Sequence, residues 1–276
     1  MRFDEMFEMA GGSVSGRSHV VAGKPNQDAL AYRATSSGIC AIVCDGCGSG
    51  MRSEVGAALG ARIISEQAIA QISAGNSLRD EKTWARIRQN TLEALAALLR
   101  VMGEPASRIV TEYFLFTAVG MAISLDGAVV FGIGDGLWAM NGEINQVGPF
   151  PGNAPPYLGY GLLGDGPGFT IHRECAIDDF ETGLVATDGA IDYCGIVGHS
   201  YPGGRGEFVR PLATFWQDDK YFQNEDALRR TLWLVNREVT RPVWNEKRLV
   251  KEPGLLEDDT TLLVVRKKNS LHKLST

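Results

Sequence analysis

The chain lacks a long hydrophobic run, since no apolar stretch approaches the ~18 residues that carry a helix across a bilayer. The opening Met1-Arg2-Phe3-Asp4-Glu5-Met6 also places acids where a secretory signal would carry its apolar core, so a cytoplasmic protein with no membrane partner is expected. Positive charge is in deficit. Lys and Arg number 27 against 33 Asp and Glu, a formal net charge of -6, and this argues against nucleic acid as a partner because such binding rests on cations neutralising phosphates. Histidine and cysteine are scarce as well. The four histidines form no cluster, and the five cysteines are an odd set that argues against a disulfide framework and for a reducing compartment.

What remains is an ordinary globular composition, 44% hydrophobic and 22% charged, with 33 glycines. It suits one large domain or two small ones, and we expect a single domain over residues 1–276. Three cysteines crowd together as Cys40-x3-Cys44-x2-Cys47, the ligand spacing of a radical enzyme's iron-sulfur cluster. Cys40 and Cys44, however, fall inside an apolar run at even spacing. They therefore point to one face of a strand, as small buried side chains do, and a zinc site would want a fourth ligand.

That apolar run, residues 39–44, ends on Asp45 and then dissolves into Gly46-Cys47-Gly48-Ser49-Gly50. An unbroken apolar run between turn residues reads as a strand covered on both faces. Asp45 leaves the core where a carboxylate needs a partner, either the start of the following helix or a divalent cation. Residues 30–32 and 38–44 read as an antiparallel hairpin, which brings Asp28 and Asp45 to the same end of a sheet. Two helices follow. The first runs from Ser53 to about residue 73 with Val55, Leu59, Ile63 and Ala70 on its apolar face; the second carries Trp84, Ile87, Leu92, Leu95 and Leu99 and stops at Met102-Gly103.

Residues 113–124 with 128–134, and 137–140 with 143–147 across Asn141-Gly142, read as hairpins of a meander, so the sheets should be mainly antiparallel. Asp135 stands between Gly134 and Gly136 inside it. Residues 148–168 hold five prolines and seven glycines and read as a folded flap beside a site. Residues 182–187 repeat the earlier pattern, an apolar strand ending on Asp188-Gly189, with Asp192 four residues on. A helix through Leu228, Leu232, Val235 and Val239 precedes Asp258-Asp259-Thr260-Thr261 and a last strand over residues 262–265. The basic tail, residues 266–276, is expected to fray.

Asp28, Asp45, Asp188 with Asp192, and Asp258 with Asp259 thus come from four separate strands or loops. Converging carboxylates cannot all ionise without cations to offset their repulsion. Oxygen-only ligands select hard ions, Mg²⁺ or Mn²⁺, and two such ions ~3.5–4 Å apart are a device for in-line phosphoryl displacement by water.

Asn26-Gln27-Asp28-Ala29, Val43-Cys44-Asp45-Gly46, Thr117-Ala118-Val119-Gly120, Gly134-Asp135-Gly136, Ala186-Thr187-Asp188-Gly189 and Asp258-Asp259-Thr260-Thr261 resemble, in order and rough spacing, the motifs of the metal-dependent protein phosphatases, type 2C. The resemblance covers residues 16–265. It implies an α+β fold, a four-layer α-β-β-α sandwich of two mainly antiparallel sheets, with a flap over about residues 148–181. It also implies hydrolysis of phosphoserine and phosphothreonine on a protein substrate, such as one phosphorylated by a partner kinase, with two Mn²⁺ or Mg²⁺ ions and a third, weaker one. By motif position Asp45 bridges both ions, the Gly46 carbonyl binds one, and Asp188 and Asp258 bind the other. Asp28 anchors waters on the ions, and Asp135 and Asp192 fall where a third ion would sit. Gly23 occupies the place of an expected phosphate-binding arginine, which leaves Arg17, His19 and Lys24 as candidate substitutes. The alternative is an inactive relative that uses the fold as a regulatory binding module.

Overall fold

The computed structural model describes residues 2–103, 105–204 and 206–268. Helix α1 (Phe3–Met6) leads into β1 (Phe7–Val14), α2 (Arg17–Ala22), β2 (Asp28–Ala34) and β3 (Gly38–Gly46). Helices α3 (Ser53–Ser73), α4 (Glu81–Met102) and α5 (Ala106–Ile109) precede β4 (Phe116–Ser124), β5 (Gly127–Ile133), β6 (Gly136–Met140) and β7 (Glu143–Val147). Beyond two 3-10 turns lie β8 (Thr170–Cys175) and β9 (Thr182–Ala186), then α6 (Gly189–Gly195), α7 (Thr214–Gln217), α8 (Lys220–Gln223) and α9 (Ala227–Asn236). Strands β10 (Val239–Val243), β11 (Arg248–Glu252) and β12 (Thr260–Lys267) follow.

Two five-stranded antiparallel sheets face each other, one in the order β1-β12-β9-β6-β7 and the other β2-β3-β4-β5-β8. Strand β3 shows how the sequence builds the stack. Its even residues Cys40, Ile42 and Cys44 pack with Ala57, Ala61 and Ile64 of α3 and with Trp84 and Ile87 of α4. The odd residues Ile39, Ala41 and Val43 meet Trp138, Met140, Val185, Leu263 and Val265 of the opposite sheet. All six are buried, so the unbroken apolar run is a strand covered on both faces, as expected. On the far side, Tyr193, Phe215, Leu228 and Leu232 from α6, α7 and α9 cover Leu184, Leu262 and Val264. The molecule is therefore an α+β fold of four layers, α-β-β-α. No helix of the described residues is long and apolar enough to cross a membrane.

Several local expectations need correction. Helix α3 has the expected ends but a different buried face: Gly56, Ala57, Gly60, Ala61, Ile64 and Ala68 are buried, while Val55 and Ala70 are exposed. Close approach to the sheet decides it, because a Cβ on Gly60 would come within 2.3 Å of the Phe116 ring. Tyr113 belongs to a π-helical turn, Val110–Phe114, and the strand starts at Phe116. The meander is split, since β5 lies in one sheet and β6 in the other, with Gly134 (φ 86°) and Gly136 (φ 144°) flanking Asp135 at the switch. Val239 opens β10 of an unexpected hairpin rather than ending α9, which stops at Asn236. Within the expected flap, residues 170–175 are the edge strand β8. Strand β12 runs on to Lys267, and the Lys268 N–H bonds the Met6 carbonyl at 2.7 Å, so the expected fraying does not begin at 266; residues 269–276 lie outside the described residues.

Candidate metal centre

Because side chains alternate along β3, Asp45 shares the face of Ile39, Ala41 and Val43 and looks into the gap between the sheets at its open end. Asp28 is its direct partner across β2 and β3, and Thr117 is its partner on β4. The facing sheet contributes Asp188, at the step from β9 into α6, and Asp258, just ahead of β12. These groups meet in a cleft of about 150 Å³ lined by Asp45, Gly46, Cys47, Gly48, Gln27, Thr117, Asp135, Asp188, Asp258 and His19, with Pro155 and Tyr157 contributed by residues 148–168. Gly46 tolerates no side chain, since a Cβ there would stand 2.8 Å from the Gln27 carbonyl and from Ser53.

The carboxylates are under strain of their own making. Burial, followed by mutual repulsion, pushes Asp45 well above the usual carboxylate range, with Asp28, Asp188, Asp258 and Asp135 all contributing. Asp28 is likewise pushed well up, by burial first and then by Asp259 and Asp188 against the hydrogen bonds that hold its charge. Asp188 is pushed up to about 6, by burial and then by Asp258 and Asp135. Burial also raises Asp258 and Asp135. Asp192, within the first turn of α6, adds repulsion at Asp188 and at Asp258 without lining the cleft.

Asp28 and Gln27 each carry a buried oxygen with no partner among the described residues. Asp28 accepts a 2.7 Å bond from the Thr187 hydroxyl on Oδ2, but its Oδ1 is unpartnered. Gln27 donates from Nε2 to Ser53 Oγ at 2.6 Å and to the Gly50 carbonyl at 3.2 Å, yet its Oε1 is unpartnered. Buried acceptors of this kind call for a cation or the water around one. The donor set fits hard divalent ions, with Asp45, Asp188, Asp258, Asp135 and the Gly46 peptide around one small polar cleft.

The three candidate phosphate-binding cations part company. The Arg17 guanidinium pairs with exposed Glu257 and does not line the cleft. Lys24 donates from Nζ to the Gly48 carbonyl at 3.1 Å, which puts its ammonium at the rim. His19 lines the cleft, and its Nδ1 lies 2.7 Å from Asp259 Oδ2. Asp259, counted from sequence only among the converging carboxylates, is a hub just 3% exposed: it accepts from the Gly16 N–H at 2.7 Å and from the Gln27 N–H at 2.6 Å. Tyr157 and Pro155 were also missed individually; the proline- and glycine-rich composition of residues 148–168, read as a flap beside a site, was the signal for that segment as a whole.

The cysteines form no shared centre. Cys40 and Cys44 are buried and face α3, and Cys47 lies at the cleft with its Sγ 3.2 Å from Ser49 Oγ. Burial opposes ionisation of the Cys47 thiol, but bonds from Ser49 and Tyr157 outweigh it and hold the thiol below its usual range.

Residues 15–154, 140 of the 276, match the family model described as Protein phosphatase 2C. No curated protein matches the sequence. Among solved structures the fold is similar to that of a bacterial serine phosphatase, with a TM-score of 0.53 at 13% identity over 96% of this chain and 99% of that one. It is similar as well to that of Serine/threonine phosphatase Stp1 from Staphylococcus aureus, with a TM-score of 0.53 at 14% identity over 98% of each chain. Likeness at such identity speaks for the fold, and it agrees with the two helix-covered sheets described above.

Proposed function

Since the chain belongs to the protein phosphatase 2C family, we propose that it is a metal-dependent phosphoprotein phosphatase acting on phosphoserine and phosphothreonine. The observation that carries this reading is the convergence of Asp45, Asp188, Asp258 and Asp135 from separate elements in one cleft, backed by an unpartnered buried oxygen on Asp28. Asp45, the Gly46 carbonyl, Asp188 and Asp258 would hold two Mn²⁺ or Mg²⁺ ions, and Asp135 and Asp192 a third, weaker one. Bound there, such ions neutralise the carboxylates and lower the pKa of water towards neutrality.

The chain's own residues then do the positioning. Asp28, steered by the Thr187 hydroxyl, offers Oδ1 as an acceptor that orients the attacking water. Lys24, at the Gly48 rim, supplies a point charge for the phosphate oxygens. Tyr157 and Pro155 wall one side of the cleft and limit bulk water around the scissile bond. In the reaction the water oxygen bonds to phosphorus while the ester P–O bond breaks in line; inorganic phosphate and a protonated serine or threonine hydroxyl leave.

Support for a phosphoprotein substrate comes from the family alone, and a partner kinase and a cytoplasmic setting are part of the proposal. Mn²⁺-dependent release of phosphate from a phosphothreonine peptide, abolished by chelation and absent with a phosphotyrosine peptide, is the expected result. Phosphopeptide binding with no turnover in Mn²⁺ or Mg²⁺ would replace the enzyme with a binding module.

A further inference from the structure

Helix α2 is laced to the loop that carries Asp258. The Arg17 N–H bonds the Leu256 carbonyl at 2.9 Å, and Ser18 bonds the Glu257 carbonyl through both its N–H (3.1 Å) and its hydroxyl (2.8 Å). Gly16 permits the approach, as a Cβ there would fall 2.3 Å from the Asp258 carbonyl carbon. The His19 side chain is consequently held in place, only 13% exposed, with Nδ1 against Asp259.

Asp259 fixes what that ring can do. Its Oδ1 accepts the Gly16 N–H and its Oδ2 accepts the Gln27 N–H, so the carboxylate is an acceptor anchored by main chain. A carboxylate at Oδ2 takes the Nδ1–H of His19, and in the neutral ring Nε2 is then the nitrogen with a lone pair. A ring nitrogen freed in this way by a carboxylate on the other nitrogen is the arrangement that metal-ligating histidines adopt. Donor atoms of His19, Asp258 and Asp259 lie within 4.8 Å of one another, and His19 and Asp258 line the same cleft. Asp259, with both oxygens engaged, is left as the orienting group.

We propose that His19 is a further metal ligand, binding through Nε2 the cation held by Asp258, with Asp259 as its positioning carboxylate. This rests on the reading of the cleft as a divalent-cation site. Its chemical consequence is selectivity: imidazole nitrogen raises the preference for later, softer divalent metals, so this position should favour Mn²⁺ over Mg²⁺ where an all-oxygen set would discriminate less.

The test is pulsed electron paramagnetic resonance of the full chain with less than one equivalent of Mn²⁺ in the presence of excess Mg²⁺. Under those conditions Mn²⁺ should settle at the nitrogen-bearing position and stay magnetically isolated from a second Mn²⁺. Expected is a ¹⁴N coupling to Mn²⁺ that disappears in His19→Ala, together with a fall in Mn²⁺ affinity by calorimetry of about 10–100-fold and a smaller fall for Mg²⁺. Asp259→Asn, which keeps the side-chain shape, should retain a ¹⁴N coupling with weakened Mn²⁺ binding. Bound Mn²⁺ without ¹⁴N coupling in the unaltered protein overturns the ligand and leaves the carboxylate site standing; it would also fit an imidazolium that contacts phosphate instead. Absence of any bound Mn²⁺ overturns both the ligand and the site.

Discussion

At the scale of single residues, chemistry was most legible where the signal lies within a few positions of the residue itself. Asp45 could be read because an apolar run stops on it, and the run of glycines after it says that something approaches the backbone. His19 could not be resolved from Arg17 and Lys24, because the contact that sets it apart is with Asp259, which stands 240 positions away. Lys24 is the candidate left for the substrate. Lys24→Ala should raise KM for a phosphopeptide by the loss of about 1.5–3 kcal/mol of charged hydrogen bonding while Mn²⁺ affinity by calorimetry stays unchanged; an unaltered KM would remove it from the site. Cys47 borders the cleft without a second thiol there, since Cys40 and Cys44 face α3. Cys47→Ala should therefore leave metal content unchanged by elemental analysis, and stoichiometric zinc or iron lost with that thiol would contradict this reading.

At the scale of elements, type and rough extent were legible wherever one pattern dominates, as in β2, β3, α4 and β9. The misses share a physical cause, which is that the deciding contact is tertiary. Helix α3 was assigned a face that is only partly right: Leu59 and Ile63 do pack at the edge of the core, but its centre is Gly56, Ala57, Gly60, Ala61 and Ile64, whose small members let the helix settle onto the sheet. The β5–β6 connection looked like one more local hairpin, and nothing in it announces that the chain crosses to the other sheet. Strand β1 escaped notice because Gly11 and Gly12 interrupt its apolar pattern. The reading of α3 has a testable sign. In an ordinary helix Gly→Ala stabilises by up to about 1 kcal/mol, but Gly60→Ala should instead destabilise by about 1–3 kcal/mol through overpacking against Phe116. Urea unfolding measures the difference, and a stabilised variant would refute the packing described.

At the scale of the whole molecule, the sandwich stores electrostatic repulsion in order to hold cations. Asp45, Asp28 and Asp188 have folded-state pKa values raised above their unfolded ones, with Asp188 at about 6 against an ordinary 3.8. In that window these three carboxyls bind more protons in the metal-free folded chain than in the unfolded one, so their contribution to stability falls as pH rises from about 4 through about 6. The Tm of chelator-treated protein should drop across this range relative to protein with Mn²⁺, because bound ions remove the repulsion; a metal-free Tm that rises there would contradict the repulsion. The most direct test of the central claim, that these carboxylates exist to hold the ions that drive phosphate ester hydrolysis, is Asp45→Asn. Calorimetric Mn²⁺ titration and phosphopeptide turnover should be followed on the same sample. The account predicts loss of tight Mn²⁺ binding together with nearly all turnover, in a protein that remains folded. Retention of both the tight ions and the unaltered rate would contradict it.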